Sequence, residues 1–248
     1  MDIRYITCSD PRPHNSFDDL MRLWNISDRV EIAVQMHPGK VSPDTERYKW
    51  ISQLVDKLCY ELPQRHLAIH VNQDWCKEIC NGKIPDELKP LFDKDWAFSF
   101  NDLPVVQRIQ LNMSQKVANS LDAKVLKDLI NAFPKQEFII QYNDKTKEAV
   151  ERLHNAGARF SLLFDASGGA GVAPKSWESP IYSEHPMGYA GGLSPKNIRR
   201  NLRQIKRVAK NDDIWVDAEG KLKTDDKFDC ELARQYIMKA DKWINRQR

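Results

Sequence analysis

The chain has 248 residues, of which 41% are hydrophobic and 29% charged, so it can bury one large core and does not have the composition of a disordered protein. Its 38 basic and 35 acidic residues leave a formal net charge of only +3, and no overall field favours nucleic acid or a membrane surface as a partner. No apolar run approaches the roughly 20 residues that a membrane helix needs, so we expect a cytoplasmic protein.

Short apolar or β-branched runs alternate with longer helical patterns along most of the chain, an alternation typical of βα units on a parallel sheet. Eight runs are predicted as strands: 5–8, 31–36, 67–71, 108–111, 137–141, 160–164, 188–190 and 214–216. Eight βα units in about 250 residues predict a (β/α)₈ barrel, the TIM barrel, forming one domain over residues 1–248.

Six segments have apolar residues that recur every three or four positions, the period of an amphipathic helix. They are 17–24, 48–62, 123–133, 145–156, 195–209 and 230–244. The segment 74–107, which contains Trp75, Trp96, Phe98 and Phe100, is long and irregular, and we expect an insertion with one or two short helices. An open dinucleotide-binding sheet is the alternative fold, but 9–13 reads SDPRP where such a sheet needs GxGxxG.

A dense basic run at helical spacing, from Arg199 to Lys210, lies beside Leu202 and Ile205. We interpret it as the solvated face of a helix, because surface helices carry their charge outside. The expected partner of the protein is therefore a small-molecule substrate, with no nucleic acid and no membrane, and the expected state is a monomer or homodimer.

Residues just past each barrel strand face one common mouth, where substrates bind in barrel enzymes. The strand-end candidates are Cys8, Asp10, Gln35, His37, His70, Asn72, Gln110, Asn112, Gln141, Asn143, Asp165, Gly191, Gly192, Asp217 and Glu219. Since successive residues of a strand point to opposite faces, about half of these side chains line the site.

Three loops resemble those of phosphoribosylanthranilate isomerases. They are ITC at 6–8, LFD at 163–165 followed by GGAG at 168–171, and AGGLSPKN at 190–197. The segment 34–43 also resembles the second loop of that family, with Lys40 where an arginine is usual. The likeness extends from the first strand to the last.

The family catalyses an Amadori rearrangement in tryptophan biosynthesis, which converts an aldosylamine into an aminoketose without a cofactor. The resemblance implies that Cys8 is the general base, that Asp165 is the general acid, and that Lys40 and Gly169 belong to substrate-binding loops. A thiol needs only a modest fall in pKa from about 8.5 to act as a base. The alternative roles are a small core residue for Cys8 and a turn cap for Asp165.

Gly191 and Gly192 can hold a phosphate on their backbone amides, or simply form a tight turn. Gly220 belongs to the eighth loop, where the family has a serine-rich turn and this chain has Asp217 and Glu219. Two like charges about 4 Å apart repel by ~1 kcal/mol in water and several times more in a drier site. We therefore expect either that Glu219 turns outward or that the substrate lacks the phosphate.

His37 and His70 end adjacent strands, but no third ligand accompanies them and the five cysteines form no CxxC pair, so no metal site is expected. Two other functions stay open. A barrel lyase or aldolase would need a Schiff-base lysine at a strand end, and only Lys145 lies near one. A non-catalytic barrel that binds a small molecule would also suit the amides and histidines of the strand ends.

Overall fold

The computed structural model describes residues 3–61, 64–92, 104–209 and 214–246. Eight parallel strands form one closed barrel in sequential order, which confirms the predicted fold. The strands are β1 (Ile3–Ser9), β2 (Val30–Met36), β3 (His66–Val71), β4 (Val106–Leu111), β5 (Glu137–Tyr142), β6 (Ser161–Phe164), β7 (Met187–Ala190) and β8 (Ile214–Ala218). Each predicted run overlaps one of them, with ends that differ by at most two residues.

Helices occupy most connections between the strands. They are α1 (Phe17–Trp24), α2 (Glu46–Glu61), α3 (Gln73–Cys80), α4 (Lys89–Phe92), α5 (Gln115–Asn119), α6 (Ala123–Ala132), α7 (Lys147–Asn155), α8 (Ile198–Val208) and α9 (Cys230–Asn245). A 3₁₀ turn (Gly220–Leu222) and a hairpin of β9 (Lys223–Thr224) and β10 (Lys227–Phe228) follow β8. Throughout its described length, 165–186, the connection from β6 to β7 has neither helix nor strand.

The structure changes two details of the predicted helices. Helix α8 begins at Ile198 rather than at 195, because the Asn197 side chain accepts a hydrogen bond from Ser194 N and donates one to Gly192 O, each 2.9 Å long. That closed turn delays the helix. The described part of the irregular segment contains α3 and α4, whereas Trp96, Phe98 and Phe100 lie outside the described residues.

The chain separates into two compact units, one of Met1–Ala33 with Leu162–Arg248 and the other of Val34–Ser161. Each has its own apolar core. Trp24, Trp215 and Ile205 are buried in the first, and Phe138 and Leu126 in the second. None of the described helices is both long and apolar enough to cross a membrane.

Candidate active site

The carboxyl end of β8 carries a buried acid, Asp217. Its side chain accepts a hydrogen bond of 2.6 Å from the Ser9 hydroxyl of β1, and the residue is 7% exposed. Thr7 pairs in register with Asp217, which places Asp217, Thr7 and Ser9 on the same face of neighbouring strands. The packing of two adjacent parallel strands thus fixes the position of this carboxyl group.

The surroundings of Asp217 favour its protonated form. Burial raises its pKa, the hydrogen bond from Ser9 lowers it, and the carboxylates of Glu219, Glu31 and Asp165 raise it further, to about 8. Such a group gains and loses its proton near neutral pH, as general acid/base catalysis requires.

A second carboxylate lies on the same face of the neighbouring strand. The Thr7 hydroxyl donates to Glu31 Oε1 at 2.7 Å, and both residues are 1% exposed. Thr7 and Ser9 therefore each hold one carboxylate, Glu31 and Asp217. Ser9 and Glu31 are not among the residues predicted from the sequence, although the alternation of β1 already places Thr7 and Ser9 on one face and Cys8 on the other.

Cys8 points to the face opposite Ser9 and is completely buried. Its register partners are Ile32 and Ala218. Burial, then the charge of Asp217, then that of Cys230 in α9 raise the pKa of the Cys8 thiol well above its usual value. A general base needs the reverse shift, so the surroundings of Cys8 favour its alternative role as a core residue. The catalytic assignment stays a prediction.

Thiol labelling checks this environment. Because the thiolate is the reactive form, iodoacetamide at about pH 7.5 should leave Cys8 unmodified in the folded protein and label it after unfolding in urea. Mass spectrometry of the cysteine peptides gives the extent of labelling in both states. Rapid labelling of Cys8 in the folded protein would contradict the raised pKa and restore the thiol as the base.

The Asp165 carboxylate organises the turn that follows β6. It accepts hydrogen bonds from Ser167 N at 3.1 Å, from Ser167 Oγ at 2.7 Å and from Gly169 N at 2.6 Å. Gly169 has a φ of +94° and takes part in this turn through its amide. The turn-capping role is thus observed, and the role of Asp165 as general acid stays a prediction. Asp165 still lies close enough to Asp217 to raise its pKa.

Gly191 and Gly192 form a tight turn after β7, with φ angles of +109° and +62°. A Cβ on Gly191 would lie 2.9 Å from Val172 O, and one on Gly192 would lie 2.7 Å from Ala173 N. The β6–β7 connection therefore packs directly on these glycines, and this close approach requires them. Their predicted role in holding a phosphate stays a prediction.

An ion-pair network follows β8 and β1. Lys223 Nζ lies 3.0 Å from Glu219 Oε1 and 2.9 Å from Asp10 Oδ2, and Arg12 also donates to Asp10 Oδ2 at 2.7 Å. The Glu219 side chain is 41% exposed. Glu219 thus has a cationic partner that sequence analysis missed, and Gly220 begins the 3₁₀ turn next to it.

Asp10 adopts a φ of +71°, which is uncommon for a residue other than glycine and concentrates at functional sites. Its two cationic partners, Arg12 and Lys223, hold Asp10 in this conformation. Asn15 Nδ2 also donates to Phe228 O at 3.2 Å. The loop after β1 is therefore joined to the β9–β10 hairpin by the ion pair of Asp10 with Lys223 and by the hydrogen bond of Asn15 to Phe228 O.

The unit Val34–Ser161 contains a separate chain of hydrogen-bonded amides. Gln35 Nε2 lies 3.2 Å from His70 Nδ1, and Asn72 donates to Gln35 Oε1 at 2.8 Å. Asn112 donates to Asn72 at 3.0 Å, and Gln110 donates to Asn112 at 2.8 Å. The structure thus brings together four residues predicted to bind substrate, His70, Asn72, Gln110 and Asn112, in a group suited to neutral polar molecules.

The other predicted residues of this unit differ in exposure. Gln141 is buried near the end of β5. His37 is half-buried just after β2, and Lys40 is exposed in the turn that follows. Their predicted roles in substrate binding stay predictions.

Comparisons with known proteins support the fold. No family model matches the chain, and no curated protein matches it. Among solved structures, N-(5'-phosphoribosyl)anthranilate isomerase from Pyrococcus furiosus is 13% identical, with 96% of this chain and 98% of that chain covered and a TM-score of 0.50. The native KDPGal structure is 13% identical, with coverages of 99% and 96% and a TM-score of 0.54.

Monomers of the dimeric phosphoribosylanthranilate isomerase from Thermotoga maritima are also similar. They are 12% identical, with 98% of this chain and 100% of that chain covered and a TM-score of 0.51. At identities this low, the similarity establishes the barrel fold, and function depends on the chemistry of the site.

Proposed function

We propose that this chain is an enzyme that isomerises a small, polar, sugar-derived metabolite by acid/base catalysis without a cofactor. The observation that carries the proposal is Asp217, a buried carboxyl group at the carboxyl end of a barrel strand, held by Ser9 and with a pKa of about 8. Barrel enzymes place their catalytic groups at these strand ends.

In an Amadori-type isomerisation, the ring oxygen receives one proton and a second proton moves from C2 to C1. The protonated Asp217 donates to the ring oxygen as the carbon–oxygen bond breaks and the nitrogen lone pair forms an iminium. The resulting carboxylate then removes the proton from C2, which gives a neutral enaminol, and returns that proton at C1. As C1 is protonated, the C2 hydroxyl becomes the carbonyl and gives its proton to Asp217, which yields the aminoketose and restores the protonated acid. The Ser9 hydroxyl holds Asp217 Oδ1 at 2.6 Å, and we assign the proton transfers to the other oxygen, Oδ2.

This assignment gives Asp217 both roles that the family resemblance implies, the general base of Cys8 and the general acid of Asp165. Burial and the charge of the neighbouring Asp217 disfavour the thiolate of Cys8. Burial also raises the pKa of Asp217, but from its low usual value to one close to neutral pH. Asp165 then acts through its charge on Asp217 and through the turn that it caps.

The surrounding charges favour a substrate without a phosphate. Asp217 is surrounded by the carboxylates of Glu31, Asp165 and Glu219, which already disfavour its own ionised form. An added phosphate would meet the same repulsion. The neighbouring cation Lys223 is paired with Asp10 and Glu219.

A lysine-dependent aldolase has less support. A Schiff-base lysine needs a lowered pKa so that its neutral amine can attack a carbonyl. Burial lowers the pKa of Lys223, but its hydrogen bond to Asp10 and the charge of Glu219 outweigh burial and raise it. Lys145 is exposed in the turn after β5.

Activity assays on site variants test the proposal. We expect the protein to convert N-ribosylanthranilate faster than its 5'-phosphate, followed as loss of anthranilate fluorescence. Asp217→Asn should lower the rate by on the order of 10²-fold or more, because the group that moves the proton is removed. Asp128→Asn, on an exposed position of α6, is the matched control and should keep the wild-type rate.

Cys8→Ala distinguishes the two assignments of the base. Loss of rate in Cys8→Ala with full rate in Asp217→Asn would transfer the role to the thiol. Binding of both compounds without conversion would contradict the enzymatic proposal and favour the non-catalytic barrel.

A further inference from the structure

One face of α8 is strongly basic. Arg199, Arg200, Arg203, Lys206 and Arg207 are all exposed, and this helix of 11 residues contains no acidic residue. At about 100° of rotation per residue, the five side chains fall within an arc of roughly 120°. We call these five residues the basic face of α8.

Few acidic groups of the protein itself neutralise the basic face. Within the described parts of the chain, Arg199, Arg200, Arg203 and Arg207 take part in no ion pair. A further cation adjoins it, because Lys239 Nζ of α9 donates to Pro195 O, just before α8, at 3.0 Å. The charges of these four arginines are therefore available to an external anion.

The arrangement works against the stability of the helix itself. Arg199 and Arg203, and again Arg203 and Arg207, are like charges four residues apart, a spacing at which they repel. Arg199 and Arg200 also lie in the first turn, at the positive end of the helix dipole, and no acidic residue is present there. A bound polyanion would relieve both unfavourable effects.

Burial of the apolar side of α8 argues against a membrane or another protein as the partner of the basic face. Ile198, Leu202 and Ile205 are 0% exposed, so the helix has no free apolar face to insert into a membrane or to form the core of a protein interface. A guanidinium group can donate two parallel hydrogen bonds to the oxygens of one phosphate. Attraction between such cations and the phosphate backbone is sufficient for non-specific binding to nucleic acid.

We propose that the basic face of α8 binds the phosphate backbone of nucleic acid without reading its base sequence. From the sequence alone this basic run was interpreted as the solvated face of a helix, and the net charge of only +3 favoured no nucleic-acid partner. The inference is independent of the proposed catalysis by Asp217.

Fluorescence anisotropy with a labelled DNA duplex of about 20 base pairs tests the inference at salt concentrations from about 50 to about 200 mM. The variant Arg199→Gln/Arg203→Gln/Arg207→Gln should bind at least tenfold more weakly. Its slope of log affinity against log salt should be smaller by about 2 to 3, because three phosphate contacts are lost. Removing like charges should leave its melting temperature equal to or above that of the wild type.

The matched control is Lys116→Gln/Lys124→Gln/Lys147→Gln, which removes the same charge from exposed positions on three other helices. We expect it to bind DNA like the wild type. Equal weakening in both triple variants would show that only total charge matters and would overturn the inference. It would also be overturned if the wild type failed to bind the duplex at the lowest salt, or bound only phosphatidylserine vesicles.

Discussion

Asp217→Asn should make the protein more stable at alkaline pH. Asp217 has a pKa of about 8 in the folded chain, and an unfolded aspartate has one near 3.9. The stability associated with its protonated form is fully present below the unfolded pKa and is lost as pH rises to the folded pKa. At about 1.4 kcal/mol per pH unit, the loss is on the order of 5 kcal/mol. Asparagine cannot ionise but still accepts from Ser9, so the variant escapes this loss.

Urea denaturation of the wild type and Asp217→Asn at about pH 4 and about pH 9 measures the effect. The gain in unfolding free energy should be small at the lower pH and reach several kcal/mol at the higher one. Asp128→Asn, which replaces an exposed aspartate, should show no comparable pH dependence. A gain that is the same at both pH values would mean that the pKa of Asp217 does not change on unfolding, which would contradict its raised value in the folded protein.

Gly188→Ala should destabilise the protein by about 3 kcal/mol or more, because a side chain must be forced into a filled interior. Gly188 of β7 pairs in register with Trp215 of β8, and a Cβ at this position would overlap the indole ring. Trp215 is 1% exposed, so its ring is enclosed by other parts of the protein. The glycine thus allows a tryptophan to fill this layer of the barrel.

Gly220→Ala is the matched control, because a Cβ on Gly220 would have no atom within 4 Å. Its unfolding free energy in urea should stay within about 0.5 kcal/mol of the wild type. The double variant Gly188→Ala/Trp215→Leu should lose less than the sum of its single variants, since the smaller side chain removes the overlap. Equal losses for Gly188→Ala and Gly220→Ala would contradict the packing of Trp215 on β7.

The strands could be predicted from sequence because each buried parallel strand is a short apolar run between turn residues. All eight were found, including 188–190, which is only three residues long. Helices with a strong apolar period were found as well. The short helix α5 was missed because five residues contain too little of a helical period to distinguish them from a loop.

The site was predicted less completely. Position at a strand end made Asp217 and the five residues of the amide chain candidates, because that rule depends only on the fold, and their roles in the site stay predictions. The roles of Cys8 and Asp165 were predicted from a resemblance between loops. Such a resemblance indicates which positions of the chain correspond, but it does not indicate how deeply a side chain is buried or what its hydrogen-bond partners are. Lys223 was missed because it belongs to a two-residue strand, β9, whose pattern is too short to recognise.

The protonation state of Asp217 is the central claim, and infrared difference spectroscopy observes it directly. The protonated carboxyl band that disappears in Asp217→Asn should titrate in the wild type with a midpoint of about 8. A midpoint near the ordinary aspartate value of about 3.9 would contradict the claim, because a carboxylate already ionised below pH 5 cannot donate the proton that the proposed reaction requires.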